Sequence, residues 1–144
     1  MSIERDIKVL KYNIKLLKMI IDGERYPFFM QILDHKITEE ETHVLIAILR
    51  AMNSRLKDKV STESYNEISM NFLKIQKDDA KNLFASYQIP FMEVYSDSVP
   101  KYNEFASYCS RFLPSSVNPK YLLLSLKKQL IYVELCNYLL TDMK

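Results

Sequence analysis

Apolar residues near the start of the chain fall at Ile3, Ile7, Leu10, Ile14, Leu17 and Ile21, with spacings of 4, 3, 4, 3 and 4. That stripe predicts a helix with a heptad period. Ser2 stands at the N-cap position and Gly23 where the helix should stop. Lys8, Lys11, Lys15 and Lys18 repeat on a neighbouring face. They read as a solvated flank whose stems lie along apolar surface, or as a contact for acidic partners. Tyr26-Pro27-Phe28-Phe29 then opens a second helix, with proline in its first turn, running to about Lys36. With a proline-led helix so close behind it, the first helix is expected to pack within a compact bundle.

Thr38-Glu39-Glu40-Glu41 spells a capping box ahead of Val44, Leu45, Ile48, Met52 and Leu56, a third helix ending near Val60. Tyr65, Ile68, Phe72 and Ile75 suggest a fourth over 63–76, and Leu83, Phe84 and Tyr87 a short fifth capped by Asp78 or Asp79. The pattern breaks between Gln88 and Lys101, where Pro90 and Pro100 bracket Phe91, Met92, Val94 and Tyr95. A long loop with at most one helical turn is expected there, and long loops in small domains often carry function. Tyr102, Phe105, Cys109 and Phe112 mark a helix stopped by Pro114. Asn118-Pro119 starts the last one, predicted to run unbroken to about Asp142. Apolar residues nearly surround that last helix, which points to a central position or to burial against a second subunit.

Composition narrows the fold further. The 144 residues suit one domain, 1–144, and include a single glycine. Hairpins, phosphate loops and dinucleotide fingerprints need glycine where the backbone turns left-handed or nears a ligand, so a β-sandwich, a Rossmann domain and a P-loop enzyme are disfavoured. The net charge of +2 creates no strong field, so nucleic acid is not the expected partner. Cys109 and Cys136 read as reduced core thiols. The charged start is not that of a signal peptide, and no apolar run approaches membrane-spanning length, so the expected location is the cytoplasm, with no membrane contact.

Candidate chemistry is sparse. Glu40 and His43 have the i, i+3 spacing of di-metal bundles, but the second motif is missing and capping accounts for Glu40. His35 suits a helix C-terminus. Neither cysteine follows a nucleophile turn. No catalytic residue, cofactor or metal is therefore expected. The aromatics between Tyr87 and Tyr121 fit a core or an interface. Residues 82–100 hold no lysine or arginine, which argues against base stacking. Phe91, Met92, Val94 and Tyr95 are the candidate partner-binding residues, with Phe91, Met92 and Tyr95 expected to be exposed. Leu124, Ile131, Leu135 and Tyr138 are the candidate oligomer contacts.

The stretch Ile7–Glu41, with Asp22, Tyr26-Pro27-Phe28, Leu33-Asp34 and Thr38 with Glu40 and Glu41, resembles the N-terminal half of the YhaI-like family. These are uncharacterised small helical proteins of low-GC Gram-positive bacteria. Gln129, Tyr132, Glu134 and Leu135 resemble the family's closing helix. The resemblance covers residues 3–60 and 102–142, and 62–101 reads as an insert. It implies a multihelical fold and self-association, and it supplies no catalytic residues.

The sequence thus predicts an all-α bundle of five to seven helices with long first and last members. The expected function is a non-enzymatic interaction or regulatory module, a homo-oligomer with a protein partner, from a bacterium, phage or mobile element. The alternatives are a nucleic-acid-binding regulator using the lysine row and a small enzyme with a scattered site.

Overall fold

The computed structural model describes residues 2–21, 23–59 and 77–143. These residues form eight helices and no strand: α1 (Ile3–Ile20), α2 (Pro27–Asp34), α3 (Glu39–Lys59), α4 (Lys77–Ser86), α5 (Phe91–Val94), α6 (Tyr102–Phe112), α7 (Pro119–Lys128) and α8 (Val133–Asp142). The all-α bundle is as expected, with eight helices rather than five to seven. The helix predicted over 63–76 lies outside the described residues, as does Val60, the predicted end of the third helix.

The central element is α3. Val44, Leu45, Ile46, Ala47, Ile48 and Leu49 are consecutive, and each is at most 2% exposed. Six buried residues in a row turn through more than a full revolution, so the helix is covered on every side there. α4, α5, α6 and α8 surround it, while α2 packs on α7. Its start is the capping box read from the sequence: Glu41 N donates to Thr38 Oγ1 at 3.1 Å and Thr38 N to Glu41 Oε1 at 3.0 Å. Ser2 and Asn118 cap α1 and α7 as predicted.

Two other helix starts are capped from a distance. Tyr26 provides no side-chain cap for α2; Gln129 Oε1 accepts from Phe28 N and Phe29 N instead, at 2.8 and 3.2 Å. Lys101 provides none for α6; Asp142 Oδ2 accepts from Tyr102 N at 2.8 Å. The C-terminal part of the chain thereby satisfies amides that α2 and α6 cannot satisfy locally.

Three helices end in one way. Lys36, Gln88 and Leu130 take left-handed backbone, with φ of 55°, 58° and 65°. The isoleucine after each donates its N–H five residues back: Ile37 to Ile32 O, Ile89 to Phe84 O and Ile131 to Leu126 O, at 2.8–3.0 Å. This is the Schellman closure, built without glycine. Each isoleucine is buried, which supplies the apolar contact that accompanies the motif. Gly23, by contrast, is not left-handed, and α1 stops before it at an extended Ile21.

The third closure corrects the expectation of one long last helix. Leu130 and Tyr132 are both left-handed, so the chain folds back and α8 packs against α7. An unbroken helix over 119–142 would be ~36 Å long and would hold half of its apolar side chains away from the core. Two short helices turn Leu122, Leu123 and Leu126 inward from one and Leu135, Cys136 and Leu139 from the other. Apolar residues surround the segment because two differently oriented faces were read as one.

Candidate functional site

α1 did not find the place expected for it. It has no buried residue, and the stripe is open to solvent: Ile3 is 77% exposed, Leu10 59% and Leu17 56%. Val9, Tyr12, Leu16 and Met19 form a second exposed apolar strip. At 100° per residue the two strips lie on different faces. The lysines separate them on one side; on the other lie Asp6 and Asn13, with Ile20 on the same face in the last turn. Ten large apolar side chains of this one helix are each at least 40% exposed. So much exposed apolar side chain on one helix marks an interaction site rather than ordinary surface. α1 reaches the rest of the chain through an ion pair, Lys18 Nζ to Asp34 Oδ1 at 2.9 Å, with both side chains partly exposed. One member of the lysine row is therefore already engaged.

The segment 88–101 behaves in the opposite way. It contains the single turn α5, and an arginine that sequence reasoning passed over holds it down. Arg55, 4% exposed on α3, donates from Nε to Ser98 O at 2.8 Å and from Nη1 to Val94 O at 3.3 Å. Its two Nη atoms grip Glu104 of α6 at 2.7 and 2.8 Å. Tyr108 Oη donates to the same carboxylate at 2.6 Å. Burial alone would lower the guanidinium pKa, but Glu104 more than offsets this and raises it. Burial and the bond to Glu104 both push the Tyr108 phenol upward. The cluster is satisfied from all sides, so it fastens α5 and α6 to α3. Its signal was available: Arg55 sits between Met52 and Leu56 on the inward face of α3, and Glu104 and Tyr108 are four apart.

The predicted contact residues therefore separate. Val94 is fully buried because its turn lies against Arg55, so it presents no surface. Phe91 and Tyr95 are half-buried rather than exposed: their rings stand 4.5 Å apart, and Phe84 lies about 6 Å from each. Met92, at 81%, remains on the surface. Of the oligomer candidates, Ile131 and Leu135 are in the chain's own core, Tyr138 is half-buried against it, and Leu124 is 40% exposed.

The remaining chemical candidates sit in structural surroundings. Glu40 Oε1 accepts from Tyr87 Oη at 2.7 Å, a bond that with burial pushes the phenol up to about 12. His35 Nδ1 lies 2.8 Å from Ser116 Oγ, and His43 is half-buried. Cys109 and Cys136 are buried free thiols. Burial drives both pKa values up, that of Cys136 to about 12. Among the described residues no group of three His, Cys, Asp or Glu side chains is placed to hold a metal ion. A recess of about 290 Å³ between α6 and the start of α7 touches Cys109 and Pro119. No described helix is long and apolar enough to cross a membrane.

A family model described as a protein of unknown function (DUF1878) matches residues 1–89. The matched span takes in α1 to α4, runs through 62–89 and stops before α5. The residues that resemble a closing helix lie outside it. No curated protein and no solved structure matches the chain.

Proposed function

The chain belongs to the DUF1878 family, and from that premise we propose that it is a non-enzymatic helical interaction module that assembles with copies of itself through α1. One observation carries this reading: an 18-residue amphipathic helix with no buried residue. Each Leu or Ile of the stripe that a partner covers stabilises an assembly by about 1.5–3 kcal/mol, before the losses of association. The buried thiols and the engaged Glu40 also support a non-enzymatic reading, because a nucleophile needs a reachable thiolate.

The narrower YhaI-like affiliation, a bacterial, phage or mobile-element origin and a cytoplasmic location belong to the same proposal. The affiliation rests on Tyr26-Pro27-Phe28 and the capping box at Thr38, both inside the matched span.

Light scattering on the full chain tests the reading. The wild type should show a mass above one chain, and Leu10→Lys/Ile14→Lys should show one chain with unchanged far-UV dichroism. A wild type that stays at one chain up to about 100 µM, where even weak assemblies form by mass action, would sink it.

A further inference from the structure

We propose that two copies of α1 pair side by side, parallel and in register, as a two-stranded coiled coil. This rests on the self-association reading and adds its geometry. With the stripe written as heptads, Ile7, Ile14 and Ile21 take the a positions and Ile3, Leu10 and Leu17 the d positions. β-Branched residues at a with leucine at d, as at Leu10 and Leu17, favour two parallel strands, because their side chains fit the differently shaped a and d holes of that geometry; Ile3, in the first turn, departs from that pattern.

The flanking charges select the same arrangement. Asp6 falls at g and Lys11 at the e position five residues on. In a parallel pair each Asp6 meets the Lys11 of the other copy, so two-fold symmetry makes the attraction twice. At the next pair of positions Asn13 meets Lys18, with no like-charge contact. An antiparallel pair in full overlap sets Lys11 against Lys11. Its attractive contact, Glu4 with Lys18, would draw Lys18 from Asp34, to which it is bonded at 2.9 Å.

A second copy fits better than a lipid surface. On a bilayer the two apolar strips would have to face the lipid together, with Asp6 and Asn13 between them in the acyl region, where a carboxylate is disfavoured. As coiled-coil flanks, the same two residues stay at the solvated edge of the seam. Val9, Tyr12, Leu16 and Met19 then lie at c and f, outside it.

Disulfide trapping in the full chain decides the geometry, since Cys109 and Cys136 are buried and do not compete. Leu17→Cys and Ile3→Cys should each link to themselves under mild oxidation, and light scattering should give two chains. Lys11→Asp should weaken the dimer about tenfold, two exposed pairs having turned from attraction to repulsion. Asp6→Lys/Lys11→Asp should restore it, which a merely structural role for either residue would not produce. Leu16→Lys should leave the two-chain mass unchanged. A mass of three or more chains, failure of Leu17→Cys to self-link, or loss of the dimer in Leu16→Lys overturns the geometry and leaves self-association standing. A wild type of one chain overturns both, and if that monomer sediments with phosphatidylserine-containing vesicles, α1 is a lipid-binding helix.

Discussion

α1 and α3 are similar in length, each carries an apolar stripe, and each takes part in an ion pair, yet they end in opposite surroundings. α3 is covered on all sides from Val44 to Leu49 and its Arg55 is gripped in the interior. α1 has no buried residue and its Lys18 pairs at the surface. An apolar stripe at helical spacing therefore establishes that a helix forms, and leaves open what covers it. The cleaner heptad belongs to the helix that lacks a cover. A narrow stripe suits one partner helix, whereas α3, apolar almost all round at its centre, needs several neighbours at once.

The sharpest way to break this contrast is through the two ion pairs. Glu104→Ala leaves the Arg55 charge buried, and a loss of about 3–5 kcal/mol is expected in urea unfolding. Asp34→Ala releases Lys18 into water and should change stability by no more than about 0.5 kcal/mol. Equal losses would mean that α1 is fastened far more firmly than its exposure indicates. Paired truncations come next. Leu45→Ala should lower stability by about 2–5 kcal/mol at any protein concentration. Leu10→Ala should leave a dilute monomer almost unchanged and lower only the assembled fraction, read by light scattering across a dilution series.

Alkaline pH should act on the body and spare α1. Cys109 and Cys136 are raised by burial above an ordinary value of 9.0. Tyr108 is raised above 10.0, again by burial and then by its bond to Glu104. Folded-state values above the unfolded ones mean that the folded chain holds its protons longer. The stability they contribute is complete below pH 9 and is lost as pH rises toward the folded-state values. At pH 10 each thiol should lower stability by about 1.4 kcal/mol. A urea midpoint unchanged between pH 7.5 and 10 would show that the thiols are not held as the fold places them.

The smallest expected effect is a gain. Leu130 is 59% exposed and left-handed, so Leu130→Gly should stabilise by about 0.5–1 kcal/mol, relieving its Cβ while losing little buried area. A thermal melt reads it. A loss would show that Leu130 makes contacts worth more than its backbone strain.

What was legible in the sequence was local. The box at Thr38 and Glu41, the caps at Ser2 and Asn118 and the inward face of α3 from Val44 to Leu56 all depend on neighbours within a few residues. What was not legible depends on distance or on backbone sign. Nothing in Gln129-Leu130-Ile131-Tyr132 signals a break, since it contains neither glycine nor proline. The single glycine argued soundly against hairpins, but left-handed residues still occur at four non-glycine positions among the described residues, stabilised by the isoleucine buried after three of them. The loop with a single turn over 88–101 and the exposed Met92 agree with the expectation, whereas Phe91 and Tyr95 are half-buried because Arg55, forty-nine residues from Glu104, holds the segment against α3. The site itself, the stripe of α1, was plain in the sequence. Its lack of cover was not, because covering depends on every other helix.

The distant cap on α2 has a consequence for how the chain is made. Phe28 N waits for an acceptor 101 residues further on. At translation rates of roughly 5–20 residues per second, that is a delay of about 5–20 s. Arg55 and the apolar run of α3 emerge well before Glu104, α6 and α8, which answer them. Through that interval the growing polypeptide shows its future core beside the apolar strip of α1. The first half therefore cannot settle before the second arrives, and nascent chains on neighbouring ribosomes have time to meet through α1 before either has closed its core.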